Sequence, residues 1–147
     1  MQEETPLDPA RPIIDPHLHL WDPQGKVAPP RFLLHEAAEM IADSGHNVTH
    51  SVFLECHAMH RADGPEEMRP VGETEFVVGQ AAISASGSYG PAKIAHRIVG
   101  TANLLLGGAA APVLEAHIAA GGGRFRGIRM SVAYCDAGMF GWAANPE

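Results

Sequence analysis

Apolar and polar residues alternate over residues 13–22, which is the pattern of a β-strand with one buried face. Pro16 falls inside this stretch and cannot donate a hydrogen bond to a neighbouring strand, so we expect it at a sheet edge or a strand end. Prolines and a glycine make residues 23–30 a loop. From Leu33 the apolar residues recur at the spacing of an amphipathic helix, which ends at Gly45.

The alternation of strand and helix patterns continues along the chain. The next elements are predicted as a strand over residues 48–56, a loop over 61–69 and a helix over 71–85, although Val77 and Val78 could equally belong to a strand. They are followed by a strand over 94–100, a helix that begins at Pro112 and ends at Gly121, and a strand over 127–132. This order predicts an α/β domain with parallel strands joined by crossover helices. In such domains the functional groups collect at the carboxyl ends of the strands.

The composition of the chain, with 147 residues and a net charge of −7, favours a single acidic globular domain with a hydrophobic core. The acidic balance, without a clustered basic stretch, argues against nucleic acid as a partner. No apolar run approaches the roughly 20 residues of a membrane span, and residues 1–4 are too polar to begin a secretory signal. Cys56 and Cys135 stand far apart, which argues against a disulfide framework or a thiolate zinc site. We therefore expect a soluble, cytoplasmic domain.

Asp15, His17 and His19 form the sharpest candidate site, at the end of the first predicted strand. Residues two apart on a strand point to the same face, so the two imidazoles project together while Leu18 and Leu20 pack on the other face. Imidazoles placed in this way can bind one divalent ion at about 2.0–2.1 Å each, or they can hydrogen-bond one anionic substrate. The alternative is a partly buried histidine pair that backbone groups satisfy.

A second group of polar residues, Glu55, His57 and His60, follows the second predicted strand. By their spacing Glu55 and His57 share one face, which can be the interior that the first pair faces. A carboxylate there can act as a bridging metal ligand, as the group that orients a ligating histidine, or as a general base. The alternatives are that Glu55 pairs with an arginine and that both histidines lie in an exposed loop. Cys56 is interpreted as a small buried hydrophobe.

Arg129 is the candidate substrate ligand of the fourth predicted strand. An unpaired guanidinium inside a strand is costly, so Arg129 either meets a carboxylate of the protein or reads one on a substrate with two parallel bonds. Arg124 and Arg126 are expected on the loop before that strand. The apolar stripe of the last helix comprises Val113, Leu114, His117 and Ile118, and His117 is interpreted as a packed core histidine. The histidines that belong to no motif are His35, His46, His50 and His96.

With these residues the sequence resembles the amidohydrolase superfamily, and within it the amidohydrolase-related branch of metal-dependent hydrolases of the TIM-barrel fold, which includes lactonases. The matching segments are IDPHLHLWD at residues 14–22, VFLECHAM at 52–59, VGETEFV at 71–77 and GRFRGIR at 123–129. The first segment is the most specific, and the resemblance spans most of the chain. It implies a parallel (β/α)8 barrel of which residues 1–147 form the N-terminal half, about four strands with their helices, with a polar lead at 1–12 and a truncated end at 145–147.

The resemblance also implies the roles of the candidate residues. His17 and His19 would bind a divalent metal, above all zinc, or contact the substrate, since some relatives of this branch work without a tightly bound metal. Glu55 would be catalytic, and His57 and Arg129 would bind a small carbonyl substrate such as a lactone or an amide. Such barrels usually run to about 250 residues, and nothing here matches the family's later histidine ligands and catalytic aspartate. The isolated chain is therefore expected to be inactive or a very weak hydrolase.

A different interpretation is a non-catalytic α/β half-barrel that acts by binding or by self-association. A parallel half-barrel exposes the edges of its first and fourth strands, and exposed edges invite pairing with another chain. A homodimer would then close a pseudo-barrel. A third interpretation is a fragment of an interrupted gene without a stable fold of its own.

Overall fold

The computed structural model describes residues 5–23 and 30–131 of the chain. The elements in chain order are β1 Ile13–Leu18, α1 Leu34–Asp43, β2 Val48–Leu54, α2 Val71–Ala85, β3 Lys93–Gly100, α3 Ala111–Ala120 and β4 Phe125–Ile128. Short 3-10 helices cover Glu66–Met68 and Leu104–Ala110. The predicted alternation of strands and helices is confirmed over these residues. None of the helices described here is long and apolar enough to cross a lipid bilayer.

The strands of the described residues form one parallel sheet in the order β1-β2-β3-β4. Right-handed crossovers that always move in one direction across a sheet place their helices on the same face. Helix α2 accordingly packs against β3 and contacts both α1 and α3. The predicted α/β class, with parallel strands and crossover helices, is therefore confirmed.

The core lies between the sheet and this layer of helices. Its largest fully buried apolar side chains are Phe53, Leu20, Ile94, Ile98, Val71, Val77 and Val113. Each such side chain stabilises the fold by about 1.5–3 kcal/mol through burial. Leu18 and Leu20 both point into the core, so the alternation of side chains turns His17 and His19 away from it, as the sequence predicts.

The opposite face of the sheet is not covered by the described residues. Ile14 of β1 is 63% exposed. Together with Val52 of β2 and Arg97 of β3 it lines a cleft of about 280 Å3. Among the described strands, β1 and β4 lie at the edges of the sheet. Pro16 therefore lies on an edge strand, as predicted, at a point where the register between β1 and β2 is irregular.

The limits of the strands differ from the prediction. β1 ends at Leu18 and β2 at Leu54, earlier than the predicted residues 22 and 56. β4 comprises Phe125–Ile128 instead of residues 127–132, so Arg126 is a strand residue and Arg129 directly follows the strand. The reason is that pairing between strands, rather than apolar content, sets where a strand begins and ends. The predicted end at residue 132, like Cys135, lies outside the described residues.

Helix α3 differs from the prediction at two positions. Pro112 is its second residue and not its first, a position where the missing N–H also lacks an intrahelical partner. Val113 and His117 are buried as predicted, whereas Ile118 is 63% exposed. A residue that directly follows His117 is turned by about 100° around the helix axis, away from the sheet.

Candidate active site at the carboxyl edge of the sheet

His17 and His19 bring their imidazole edges together at the carboxyl end of β1. The two Nε2 atoms lie 3.0 Å apart, and the rings meet edge to face with their centres 4.8 Å apart. The backbone N–H of His17 donates to Asp15 Oδ1 at 3.0 Å. His17 is exposed and His19 is half-buried, so the pair opens to solvent at the rim of the sheet. The structure thus brings together the two side chains that their spacing predicts to share a face.

The hydrogen bonds of His19 determine which of its nitrogens carries the proton. Nδ1 lies 2.8 Å from the carbonyl oxygen of Leu54, at the end of β2. A carbonyl oxygen only accepts, so Nδ1 donates, and in the neutral ring Nε2 presents a lone pair toward His17. Burial lowers the pKa of His19; the charges of His17 and Arg129 act in the same direction, against the Leu54 carbonyl and Glu55. Histidines that ligate metals have this kind of orienting contact on their second nitrogen.

The histidine pair fits part of a divalent metal site. Two nitrogens that ligate one tetrahedral zinc ion at about 2.0–2.1 Å lie roughly 3.3 Å apart, close to the 3.0 Å between the two Nε2 atoms. A catalytic zinc site has three protein ligands. Within residues 5–23 and 30–131, no group of three or more histidine, cysteine, aspartate or glutamate side chains is arranged to hold a metal ion. His17 and His19 can therefore supply two ligands of such a site.

Glu55 and Arg129 form an ion pair that joins the ends of β2 and β4 across β3. Arg129 donates from Nε to Glu55 Oε1 at 2.8 Å, and from Nη2 to the backbone oxygen of Glu55 at 2.7 Å. Glu55 is only 7% exposed, so the guanidinium compensates a charge whose burial would otherwise be costly. Of the alternatives drawn from the sequence, the structure has the one in which Glu55 meets an arginine and Arg129 meets a carboxylate of the protein.

The second carboxylate oxygen of Glu55 faces His57. Oε2 is buried and makes no hydrogen bond among the described residues, and His57 Nε2 lies 3.6 Å from it. His57 lies beside Glu55, as predicted, but not for the predicted reason. The prediction placed both residues on one face of a strand, whereas β2 ends at Leu54. His57 reaches Glu55 through a left-handed backbone, with φ of 59°, which is uncommon for a residue with a side chain. Glu55 also follows directly on Leu54, whose carbonyl holds His19, so both groups share one rim.

Residues 56–58 are held over this rim by a buried carboxylate, that of Glu73 in α2. Its Oε1 accepts the backbone N–H of Cys56 at 3.0 Å and that of Ala58 at 2.8 Å. Burial raises the pKa of Glu73 to about 7; the charge of Glu55 acts in the same direction, and the two backbone bonds act against it. The sequence does not single out Glu73, because an acidic residue in the first turn of a helix is ordinarily a solvated partner of the helix dipole.

His117 and Cys56 are packed as the sequence predicts. His117 is fully buried; it donates from Nε2 to the Thr101 carbonyl at 2.9 Å and accepts at Nδ1 from Thr74 Oγ1 at 2.8 Å. Its ring stacks on that of Phe125 with the centres 5.1 Å apart. Cys56 is partly buried, and burial raises the pKa of its thiol to about 12. Both are structural side chains.

A cleft of about 630 Å3 is lined by His60, Arg61, Asn103 and Leu106, among other residues. His60 is half-buried rather than exposed, and its Nε2 makes no hydrogen bond among the described residues. Its ring centre lies 5.6 Å from that of His57. His60 thus connects the cleft with the rim that carries Glu55.

The remaining histidines make contacts of their own elsewhere on the surface. His35 lies on the exposed side of α1, 3.3 Å from Glu39. His50 of β2 and His96 of β3 meet edge to face with their ring centres 4.8 Å apart. His46 is exposed after α1. These histidines serve as controls for the pair at the rim.

The carboxyl edge of the sheet therefore gathers the five side chains to which the resemblance assigns roles: His17, His19, Glu55, His57 and Arg129. No protein-family model matches the sequence, and comparison with curated proteins and with solved structures gives no match.

Proposed function

We propose that this edge is the mouth of a hydrolase site of the metal-dependent, amidohydrolase-related type, where water attacks a lactone, an amide or a similar carbonyl. The observation that carries the proposal is the pair of Nε2 atoms 3.0 Å apart, with Nδ1 of His19 bonded to the Leu54 carbonyl. Its place at the carboxyl ends of parallel strands is where barrel enzymes carry their catalytic groups. The one-directional order β1-β2-β3-β4 supports the further proposal that the chain forms the first four strands of a (β/α)8 barrel.

Each side chain at the rim would have its own role in such a reaction. His17 and His19 would hold a divalent ion, zinc in the first instance, which when bound lowers the pKa of water toward 7 and polarises a carbonyl. Glu55 keeps Oε1 on Arg129, and its buried Oε2, which has no hydrogen-bond partner among the described residues, would accept a proton from the attacking water. The side chain of Arg129 is 40% exposed, so its Nη1 can hold a substrate carboxylate. His57, exposed beside Glu55, can hydrogen-bond the substrate carbonyl.

Hydrolysis by the purified chain in the presence of zinc tests this proposal. We expect slow hydrolysis of an activated aryl ester and of simple lactones, in proportion to bound zinc, because two histidines are fewer ligands than a catalytic zinc site uses. The rate should fall to the buffer background in the double variant H17A/H19A and persist in the control His35→Ala. A double variant as fast as the unchanged chain would contradict the proposal, as would an unchanged chain that binds no zinc.

Self-association is a second candidate function, favoured by the uncovered face of the sheet and by its edge strands. A second copy could cover Ile14 and its neighbours on this face and close a pseudo-barrel. We expect analytical ultracentrifugation to show a dimer at high micromolar concentration and Ile14→Lys to dissociate it. Ile83→Lys, at a 45% exposed position on α2, is the matched control and should remain dimeric. A clean monomer of the unchanged chain at that concentration would exclude this function.

A further inference from the structure

No cation within the described residues forms an ion pair with the buried carboxyl group of Glu73. This residue is 1% exposed, less than Glu55 with its arginine partner. The two backbone N–H groups of Cys56 and Ala58 occupy Oε1, and Oε2 has no hydrogen-bond partner among the described residues. Such a group is expensive to bury. Its structural role is to bind the backbone of residues 56–58.

The backbone of this segment has an unfavourable conformation that contacts with the rest of the protein must stabilise. His57 and Met59 both have left-handed backbones, with φ of 59° and 53°, a conformation that side chains disfavour. The first turn of α2 also packs closely against residues 59–61, which directly follow the segment. A Cβ atom at Gly72 would lie 2.7 Å from the backbone nitrogen of Arg61 and from the backbone oxygen of Met59. The two bonds to Glu73 therefore fasten a strained segment against the start of α2.

We propose that Glu73 is a positioning residue of the candidate site: its carboxyl group holds residues 56–58 in the conformation that sets His57 against Glu55, and its ionisation loosens that segment. The proposal deepens the proposed function and rests on it only in treating this rim as a site. Opening of the segment is a property of the fold, so it can be measured without substrate or metal.

The direction of the effect follows from proton linkage between a closed and an open segment. In the closed segment burial raises the pKa of Glu73 to about 7, whereas a carboxyl group that reaches water returns to its usual 4.5. The closed segment thus holds the proton more tightly, and raising the pH from 4.5 to 7 favours the open one. Each unit of difference between the two pKa values changes the ratio of open to closed segment tenfold. The open fraction should therefore rise on the order of 100-fold and level off above neutral pH.

Other titratable or charged groups surround Glu73 and must be separated from it. Those on the segment and the end of β2 are Glu55, Cys56, His57 and His60; those on or beside the packed helices are Arg61, Glu75 and His117. Burial lowers the pKa of both His60 and His117 and raises that of Cys56 to about 12, so each of these shifts favours the neutral form of its side chain. Substitution of Glu73 itself separates its contribution from that of Glu55 and His57.

Cys56 reports on the segment, because its N–H is one of the two groups that Glu73 holds. In a chain with Cys135→Ser, we would follow the reaction of Cys56 with a pyridyl disulfide. Dividing by the rate in the urea-unfolded chain at the same pH gives the open fraction. This ratio is expected to rise on the order of 100-fold between about pH 5 and pH 7.5 and then to level off.

In Glu73→Gln, which is neutral at every pH and still offers an amide oxygen to both N–H groups, the ratio should not change with pH. Glu75→Gln, at an exposed position of the same helix, should keep the rise.

Amide hydrogen exchange of the unchanged chain gives a second measurement, which does not depend on the folding of a variant. After correction for intrinsic exchange, protection of the Cys56 and Ala58 amides should fall together over this pH range. The Glu55 amide, bonded to the Val99 carbonyl at 2.9 Å, should stay protected. A pH-independent Cys56 ratio, an equal rise in Glu73→Gln, or constant protection of both amides would overturn the proposal. Loss of zinc binding or of hydrolysis would bear on the proposed function alone, since neither enters these measurements.

Discussion

Replacing His19 with alanine is expected to weaken zinc binding to the chain by at least about 100-fold. Removing only the contact that orients a ligating histidine costs about 10–100-fold in metal affinity, and this change removes the ligand itself. His19 is the better oriented of the two, because the Leu54 carbonyl fixes Nδ1 and leaves the Nε2 lone pair 3.0 Å from His17 Nε2. Isothermal titration calorimetry at neutral pH measures the affinity and the stoichiometry, which should be one zinc ion per chain.

His35→Ala is the matched control for this prediction. His35 is an exposed histidine with a carboxylate, that of Glu39, 3.3 Å away, so it could bind zinc weakly without any contribution from the rim. We expect its substitution to leave both affinity and stoichiometry unchanged. A His19→Ala chain that binds zinc as tightly as the unchanged chain would show that the pair is not a metal site.

Arg129→Ala is expected to lower the free energy of unfolding by about 2–3 kcal/mol. The substitution leaves the carboxylate of Glu55, 7% exposed, without the guanidinium that bonds both its Oε1 and its backbone oxygen. Breaking a fully buried pair costs about 3–5 kcal/mol; the smaller value follows because the side chain of Arg129 is 40% exposed and water can replace it in part. Urea unfolding followed by circular dichroism measures the difference.

A double-mutant cycle separates the pairing of Glu55 and Arg129 from a general effect of losing an arginine. Glu55→Gln removes the buried charge, so the double variant E55Q/R129A should recover about 1–2 kcal/mol of the loss. Arg11→Ala, which breaks an exposed pair with Asp8, should change stability by no more than about 0.5 kcal/mol. A cost of Arg129→Ala as small as that of Arg11→Ala would mean that the pair does not hold the ends of β2 and β4 together.

The elements of the fold are predictable from this sequence because local pattern determines them. The period of two around Leu18 and the helical period after Leu33 are properties of neighbouring residues, and both elements begin where the pattern places them. The same reasoning places His17 and His19 on one face. It overextends β1 and β2 and misplaces β4, because strand limits depend on the hydrogen bonds of a partner strand that no local pattern records.

The rest of the site depends on contacts between distant parts of the chain. Arg129 meets Glu55 across an intervening strand, and the sequence offers both this pairing and a substrate contact without deciding between them. His57 faces Glu55 with a left-handed backbone, which its residue type does not predict. Glu73 is fully inside the protein although its position in the first turn of a helix predicts a solvated side chain. Each of these features follows from tertiary packing, which overrides the local preference of the residue.

Nitrogen NMR of the imidazole rings during a zinc titration tests the convergence of His17 and His19 on one ion most directly. In the metal-free chain we expect His19 to carry its proton on Nδ1, bonded to the Leu54 carbonyl. On addition of one zinc ion per chain, the Nε2 resonances of His17 and His19 should shift together while those of His35 and His50 stay in place. A His19 protonated on Nε2 when neutral, or a zinc titration that moves other histidines and leaves this pair unchanged, would contradict the metal site.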